Sequence, residues 1–139
     1  MIKKLDHIAI AVRDTEEALK FYRDQLGLSV LLSEEMEDSK VRLTHLDMGN
    51  VQLQLVQPLV EGHPLHQHLD QQGEGLHHLC FWSDDLNETT SQIQEKDLKL
   101  RNENFHSAPL GKRAGFIDPT TARGVLWEFT GPNPAASDQ

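Results

Sequence analysis

The sequence predicts an α+β fold made of two tandem βαβββ modules within 139 residues. Three observations carry that reading. First, the chain repeats itself: LDHIAIAVRDTEEAL from Leu5 sets without a gap against LHHLCFWSDDLNETT from Leu76, aligning Asp14 with Asp85 and Glu17 with Glu88. Second, each copy passes from an apolar strand into a capped helical pattern. Third, each copy ends on an alternating strand closed by proline, GNVQLQLVQP from Gly49 against RGVLWEFTGP from Arg123.

The elements follow in order. After the first strand, Asp14 or Thr15 caps EEALKFYRDQLG, where Ala18, Leu19, Tyr22 and Leu26 fall at helical spacing and Gly27 stops the helix. LSVLLSEEM, SKVRLTHLDM and GNVQLQLVQP supply three strands. The linker LVEGHPLHQHLDQQGEG carries a short helix from Pro64 to Gln71. In the second copy Asp84 or Asp85 caps LNETTSQIQEKD, with a weaker apolar pattern at Leu86, Ile93 and Leu98; LKLRNENF, KRAGFIDP and the closing strand complete it. The expected boundaries are 1–60 for the first module, 61–75 for the linker, 76–131 for the second module and 132–139 for a flexible tail.

Composition narrows the function. Hydrophobic residues make up 37% and charged residues 25%, as in ordinary globular proteins. The net charge of −9 argues against nucleic-acid or anionic-membrane partners, which need a basic face. No apolar run approaches the roughly 20 residues of a membrane span. Asp6 and His7 interrupt the one N-terminal stretch that mimics a signal peptide. A single cysteine, Cys80, allows no internal disulfide, so a cytoplasmic setting is expected.

The repeat also selects a site. Adjacent histidines on a strand point to opposite faces, so His77 and His78 cannot share a pocket. The alignment puts His78 opposite His7, and Glu128 opposite Gln54. His7, Gln54, His78 and Glu128 are therefore two copies of one arrangement, a first-strand histidine with a last-strand oxygen donor. Two imidazoles, a carboxylate and an amide oxygen suit one divalent ion, Zn²⁺, Co²⁺, Ni²⁺ or Mn²⁺, with positions left open for substrate. Against this stands the commoner use of each residue alone: a hydrogen-bonded strand histidine, or a polar group on a wet face.

These residues bring a resemblance into view. LDHIAIAVRDTEEALKFYRDQLGL resembles the opening of the vicinal oxygen chelate (glyoxalase/bleomycin-resistance) superfamily. GNVQLQLVQPL, HPLHQHLDQQGEGLHHLCF and GKRAGFIDPTTARGVLWEF are most similar to the methylmalonyl-CoA epimerase family. The resemblance implies a curved, open-barrel mixed sheet around a metal, with ligands on His7, Gln54, His78 and Glu128. It implies an isomerase that removes the proton alpha to a thioester while the metal stabilises the enolate, Glu128 acting as base on an acyl-CoA. It also implies a homodimer. This chain has Leu43 where some members carry a second carboxylate, Asp118-Pro119-Thr120 where the closing motif is usually His-Pro-Lys, and Thr121 to Gly124 in place of a glycine-rich stretch.

Lys112, Arg113 and Arg123 are candidates for holding CoA phosphates or the substrate carboxylate. His45 and His106 are spare acid–base candidates, with an ordinary surface role as the expectation for both. His63, His66 and His68 read as surface residues, Cys80 as a small core residue, and Trp82 and Trp127 as packing. Two other activities use the same fold. A glyoxalase I-type lyase acts on a thiol hemithioacetal with the same metal logic. A non-catalytic small-molecule-binding member typically loses the ligands, and all four are present here.

Overall fold

The structure is a computed structural model and describes residues 1–134. The chain divides into two compact units, one of His7–His77 and one of Met1–Asp6 with the chain from His78 on. Most of the expected tail, 132–139, lies outside the described residues.

In the His7–His77 unit, β1 (Leu5–Ala11) pairs parallel to β4 (Gln52–Pro58). β3 (Val41–Asp47) runs antiparallel to β4 and to β2 (Ser29–Met36), giving the order β2-β3-β4-β1. Strand alternation sorts the side chains into two layers. Ile10, Leu46, Leu53 and Leu55 pack with Val12 and Leu19 on one face. Ala9, Ala11, Leu43 and Val56 pack on the other with Met36, Val41, Leu65 and Leu69.

Helix α1 (Thr15–Leu19) starts where expected, with the Asp14 carboxylate accepting from Glu17 N–H. Gln57 of β4 accepts from both the backbone N–H and the hydroxyl of the fully buried Thr15, which ties the helix to the sheet. The helix then widens into a π-helical turn, Lys20–Gln25, closed by Leu26 N–H to Phe21 C=O. The wider turn rotates the following residue off the expected stripe, so Leu26 is exposed while Leu19 is buried. Gly27, at φ +79°, ends the element.

The linker helix α2 (Pro64–Gln72) is capped by His63 Nδ1, which accepts from Leu65 N–H. Arg13 fastens it. Its guanidinium donates to Leu69 C=O and Asp70, and its backbone N–H donates to Glu74.

The second unit repeats the plan. β5 (Gly75–Trp82) pairs parallel to β8 (Trp127–Gly131). β7 (Arg113–Ile117) is antiparallel to β8 and to β6 (His106–Ser107), in the order β5-β8-β7-β6. Helix α3 (Leu86–Glu95) is capped by Asp85 accepting from Glu88 N–H, the repeat-equivalent of the Asp14 cap. Phe81, Leu86, Ile93, Ile117 and Phe129 form its apolar layer.

One expected strand is corrected. LKLRNENF contributes an isolated Leu100–Ile117 bridge, and the regular strand before β7 begins only at His106. Asn102 and Asn104 favour turns over a ladder, and Asp97 at φ 62° already turns the chain.

Candidate functional site

Each unit carries one half of the predicted constellation. In the His7–His77 unit, His7 is the register partner of Gln52, and Ala9 of Gln54, across the parallel β1/β4 pair. Across the β3/β4 hairpin, His45 is the partner of Gln54. His7, His45, Gln52 and Gln54 therefore share the face that carries Ala9, Leu43 and Val56. His7 and Gln54 are each 3% exposed and His45 5%. Gln52 Oε1 lies 2.6 Å from His45 Nδ1, and Gln54 Nε2 lies 3.0 Å from His45 Nε2. The rings of His7 and His45 are 5.4 Å apart. His45 is thus no surface histidine. It belongs to this cluster because the β3/β4 register places it beside Gln54, a signal that pairing the two strands outward from the Met48–Val51 turn would have given.

In the second unit, Cys80 and Phe116 flank Glu128 in register on β5 and β7. Glu128 is 6% exposed and His78 7%. One carboxylate oxygen of Glu128 is 3.1 Å from His78 Nε2, and the other is 2.9 Å from His106 Nε2. Phe116 fixes both rings: His78 stands edge-on to it at 87°, and His106 stacks on it at 13°. A buried carboxylate is stable only when its lone pairs are engaged, and the two imidazoles engage one oxygen each. His106 also departs from the surface role expected of it. It sits on the two-residue strand β6, and no periodicity in the sequence marked it.

Cys80 is fully buried, as expected of a small core residue. Burial pushes its thiol well above the ordinary value, and the neighbouring Glu128 charge pushes the same way. The thiol is therefore kept protonated.

His77 turns to the other side of its strand from His78 and meets His68 edge-on, centroids 4.9 Å apart. The other linker histidines bond locally: His63 Nε2 lies 2.8 Å from Ser39 C=O, and His66 Nε2 3.0 Å from Val60 C=O. Among the substrate-binding candidates, Arg113 donates to Ser107 Oγ and Phe105 C=O. Lys112 lies 5.4 Å from the centre of the Trp82 ring, with Lys4 at 5.6 Å. Arg123 is exposed, at φ 62°. Asp118 accepts from Thr120 N–H and its hydroxyl, bonds that hold its carboxyl below the usual range, so it caps the Pro119–Thr121 turn.

Each half offers a buried imidazole and a buried oxygen donor, a donor set that fits a divalent cation of the borderline class.

Residues 6–116 match the Glyoxalase/Bleomycin resistance protein/Dioxygenase superfamily. The chain belongs to this superfamily. The uncharacterized protein YqjC of Bacillus subtilis is 35% identical, over 94% of this chain and 94% of its own length. The mitochondrial methylmalonyl-CoA epimerase of Homo sapiens is 30% identical, over 91% of this chain and 72% of its own. A solved structure of a Streptomyces coelicolor methylmalonyl-CoA epimerase variant, in complex with 2-nitronate-propionyl-CoA, superposes with a TM-score of 0.86. It shares 30% identity and covers 95% of this chain and 96% of that one. The chain has the glyoxalase-like α+β fold and is an enzyme of the epimerase type. No described helix is long and apolar enough to cross a membrane.

Proposed function

We propose that the protein epimerises methylmalonyl-CoA, using one divalent ion held by His7, Gln54, His78 and Glu128. The observation that carries this reading is the Glu128 carboxylate, buried and set between His78 at 3.1 Å and His106 at 2.9 Å. Relatives named as epimerases of this thioester support the substrate.

The bound ion supplies Lewis-acid stabilisation of the negative charge that develops when the proton alpha to the thioester leaves. The chain does the rest. Glu128 takes the alpha proton from one face as general base, its carboxylate kept at one angle by His106 and the Phe116 stack. A second acid must return a proton to the opposite face of the planar carbanion to complete the inversion. Phe116 packs against both His78 and His106, which shields the Glu128 carboxylate from water and strengthens its charged contacts. Lys112 and Lys4, 5.4 and 5.6 Å from the centre of the Trp82 ring, offer positive charge for the CoA phosphates. The protein works as a homodimer in the cytoplasm.

The test is proton exchange. Protein reconstituted with Co²⁺ is incubated with methylmalonyl-CoA in D₂O, and loss of the alpha-proton NMR signal is followed, with Glu128→Gln as control. Fast exchange that disappears in the variant is the expected result. No exchange from metal-loaded protein overturns the reading, and turnover of a thiol hemithioacetal by the same sample would assign the lyase activity instead.

A further inference from the structure

We infer that His45 is a positioning residue for the metal site, fixing the amide of Gln54 so that its oxygen is left for the cation. The inference rests on the proposed metal reading and deepens it.

The geometry leaves little freedom. Gln52 presents Oε1 to His45 Nδ1 at 2.6 Å, and a carbonyl oxygen only accepts, so Nδ1 carries the hydrogen. Gln54 presents Nε2 to His45 Nε2 at 3.0 Å, and an amide nitrogen only donates, so Nε2 is the bare nitrogen of a neutral ring. These two statements describe the same tautomer. They also decide the third group: because the nitrogen of Gln54 is spent on His45, its Oε1 is not.

The alternative is equally complete and opposite. With Nε2–H on the ring, His45 would take the oxygen of Gln54 and turn its NH₂ the other way, and Gln52 would have to present its own NH₂ to Nδ1. The three side chains therefore switch together or not at all. Only the first state offers a divalent cation an oxygen rather than an amide nitrogen, which does not ligate it. The arrangement is held by the sheet: His45 and Gln54 are register partners across β3/β4, Gln52 lies two residues before Gln54 on the same face, and His45 packs 5.4 Å from the His7 ring. A glutamine ligand needs such a device because its two ends differ; a carboxylate would not.

Two measurements test it. In metal-free protein labelled with ¹⁵N-histidine, long-range ¹H–¹⁵N correlation reads the tautomer of His45 directly. The Nδ1–H form is expected, and the Nε2–H form overturns the inference. Separately, Co²⁺ affinity and the Co²⁺ visible spectrum are compared for the wild type, Gln54→Ala and His45→Phe. Loss of an outer partner of a metal ligand costs about 10- to 100-fold in affinity, and His45→Phe is expected to fall in that range with an altered spectrum. Gln52→Glu keeps an acceptor at Nδ1, so the Nδ1–H signal of His45 is expected to persist in this variant, and its loss overturns the inference. If Gln54→Ala weakens Co²⁺ binding and His45→Phe does not, the positioning role is wrong and the metal site stands. If Gln54→Ala itself binds Co²⁺ like the wild type, the metal reading fails and the inference falls with it.

Discussion

The second carboxylate oxygen of Glu128 lies 2.9 Å from His106 Nε2, while the first lies 3.1 Å from His78 Nε2. The two imidazoles come from opposite ends of their unit's sheet order, β5 and β6, and the carboxylate from β8 lies between them. In the proposed reading Glu128 is the base and His78 a ligand, and a carboxylate engaged at both oxygens has one angle of attack. Replacing His106 with alanine removes that orientation and also bares the Phe116 face. Exchange of the alpha proton in D₂O should slow by about 10- to 100-fold, a loss in kcat more than in KM, since misplacing a base costs the chemical step most. An unchanged rate would show that His106 only fills space.

Removing a proposed ligand should weaken metal binding beyond what loss of an outer partner does. His7→Ala and His78→Ala are each expected to lower Co²⁺ affinity by more than about 100-fold, measured by titration of chelator-treated protein. Chelator treatment of the wild type should abolish exchange, and adding Co²⁺ back should restore it. Full activity in chelator-treated protein holding no metal would leave Glu128 to work alone.

Much of this architecture was legible because the chain states it twice. Asp14 and Asp85 cap their helices in the same way, and His78, rather than His77, takes the buried position that His7 has in the other copy. What the repeat could not show is whatever occurs in one copy only. The π-helical turn that exposes Leu26 has no counterpart in α3. The segment before β7 keeps only a bridge at Leu100 because asparagines interrupt its alternation. His45 and His106 depart from the surface role expected of them for one reason. Neither has a histidine at the equivalent place in the other copy, where Phe116 stands opposite Glu128 as His45 stands opposite Gln54. Each owes its place to strand register, which depends on turn geometry rather than on hydrophobic period.

Gly131 carries a steric constraint rather than a conformational one. A methyl group on its Cα would overlap the backbone oxygen of Ser83, where β8 comes close to the end of β5. Backbone cannot move aside as a side chain can. Gly131→Ala should therefore destabilise the protein by about 2 kcal/mol, lowering the thermal midpoint by about 4–8 °C, with Co²⁺ affinity little changed in the folded fraction. A midpoint equal to the wild type's would mean that β8 is free to shift.

Cys80 should make stability fall in alkaline solution. Its thiol is raised well above the ordinary value of 9.0 by burial first and by the Glu128 charge next. In the unfolded chain the thiol ionises near its ordinary value, while in the folded protein it keeps its proton. Above that pH the unfolded state binds fewer protons than the native state, so stability falls as pH rises. The contribution is fully present below pH 9 and is lost progressively above it, at about 1.4 kcal/mol per pH unit for one proton. Urea unfolding of the wild type and of Cys80→Ala from pH 7 to pH 10.5 isolates this effect. Alanine lowers stability at every pH by leaving a small void, but its curve should be flatter above pH 9 by the slope of one proton. Parallel curves would show that the thiol ionises in place.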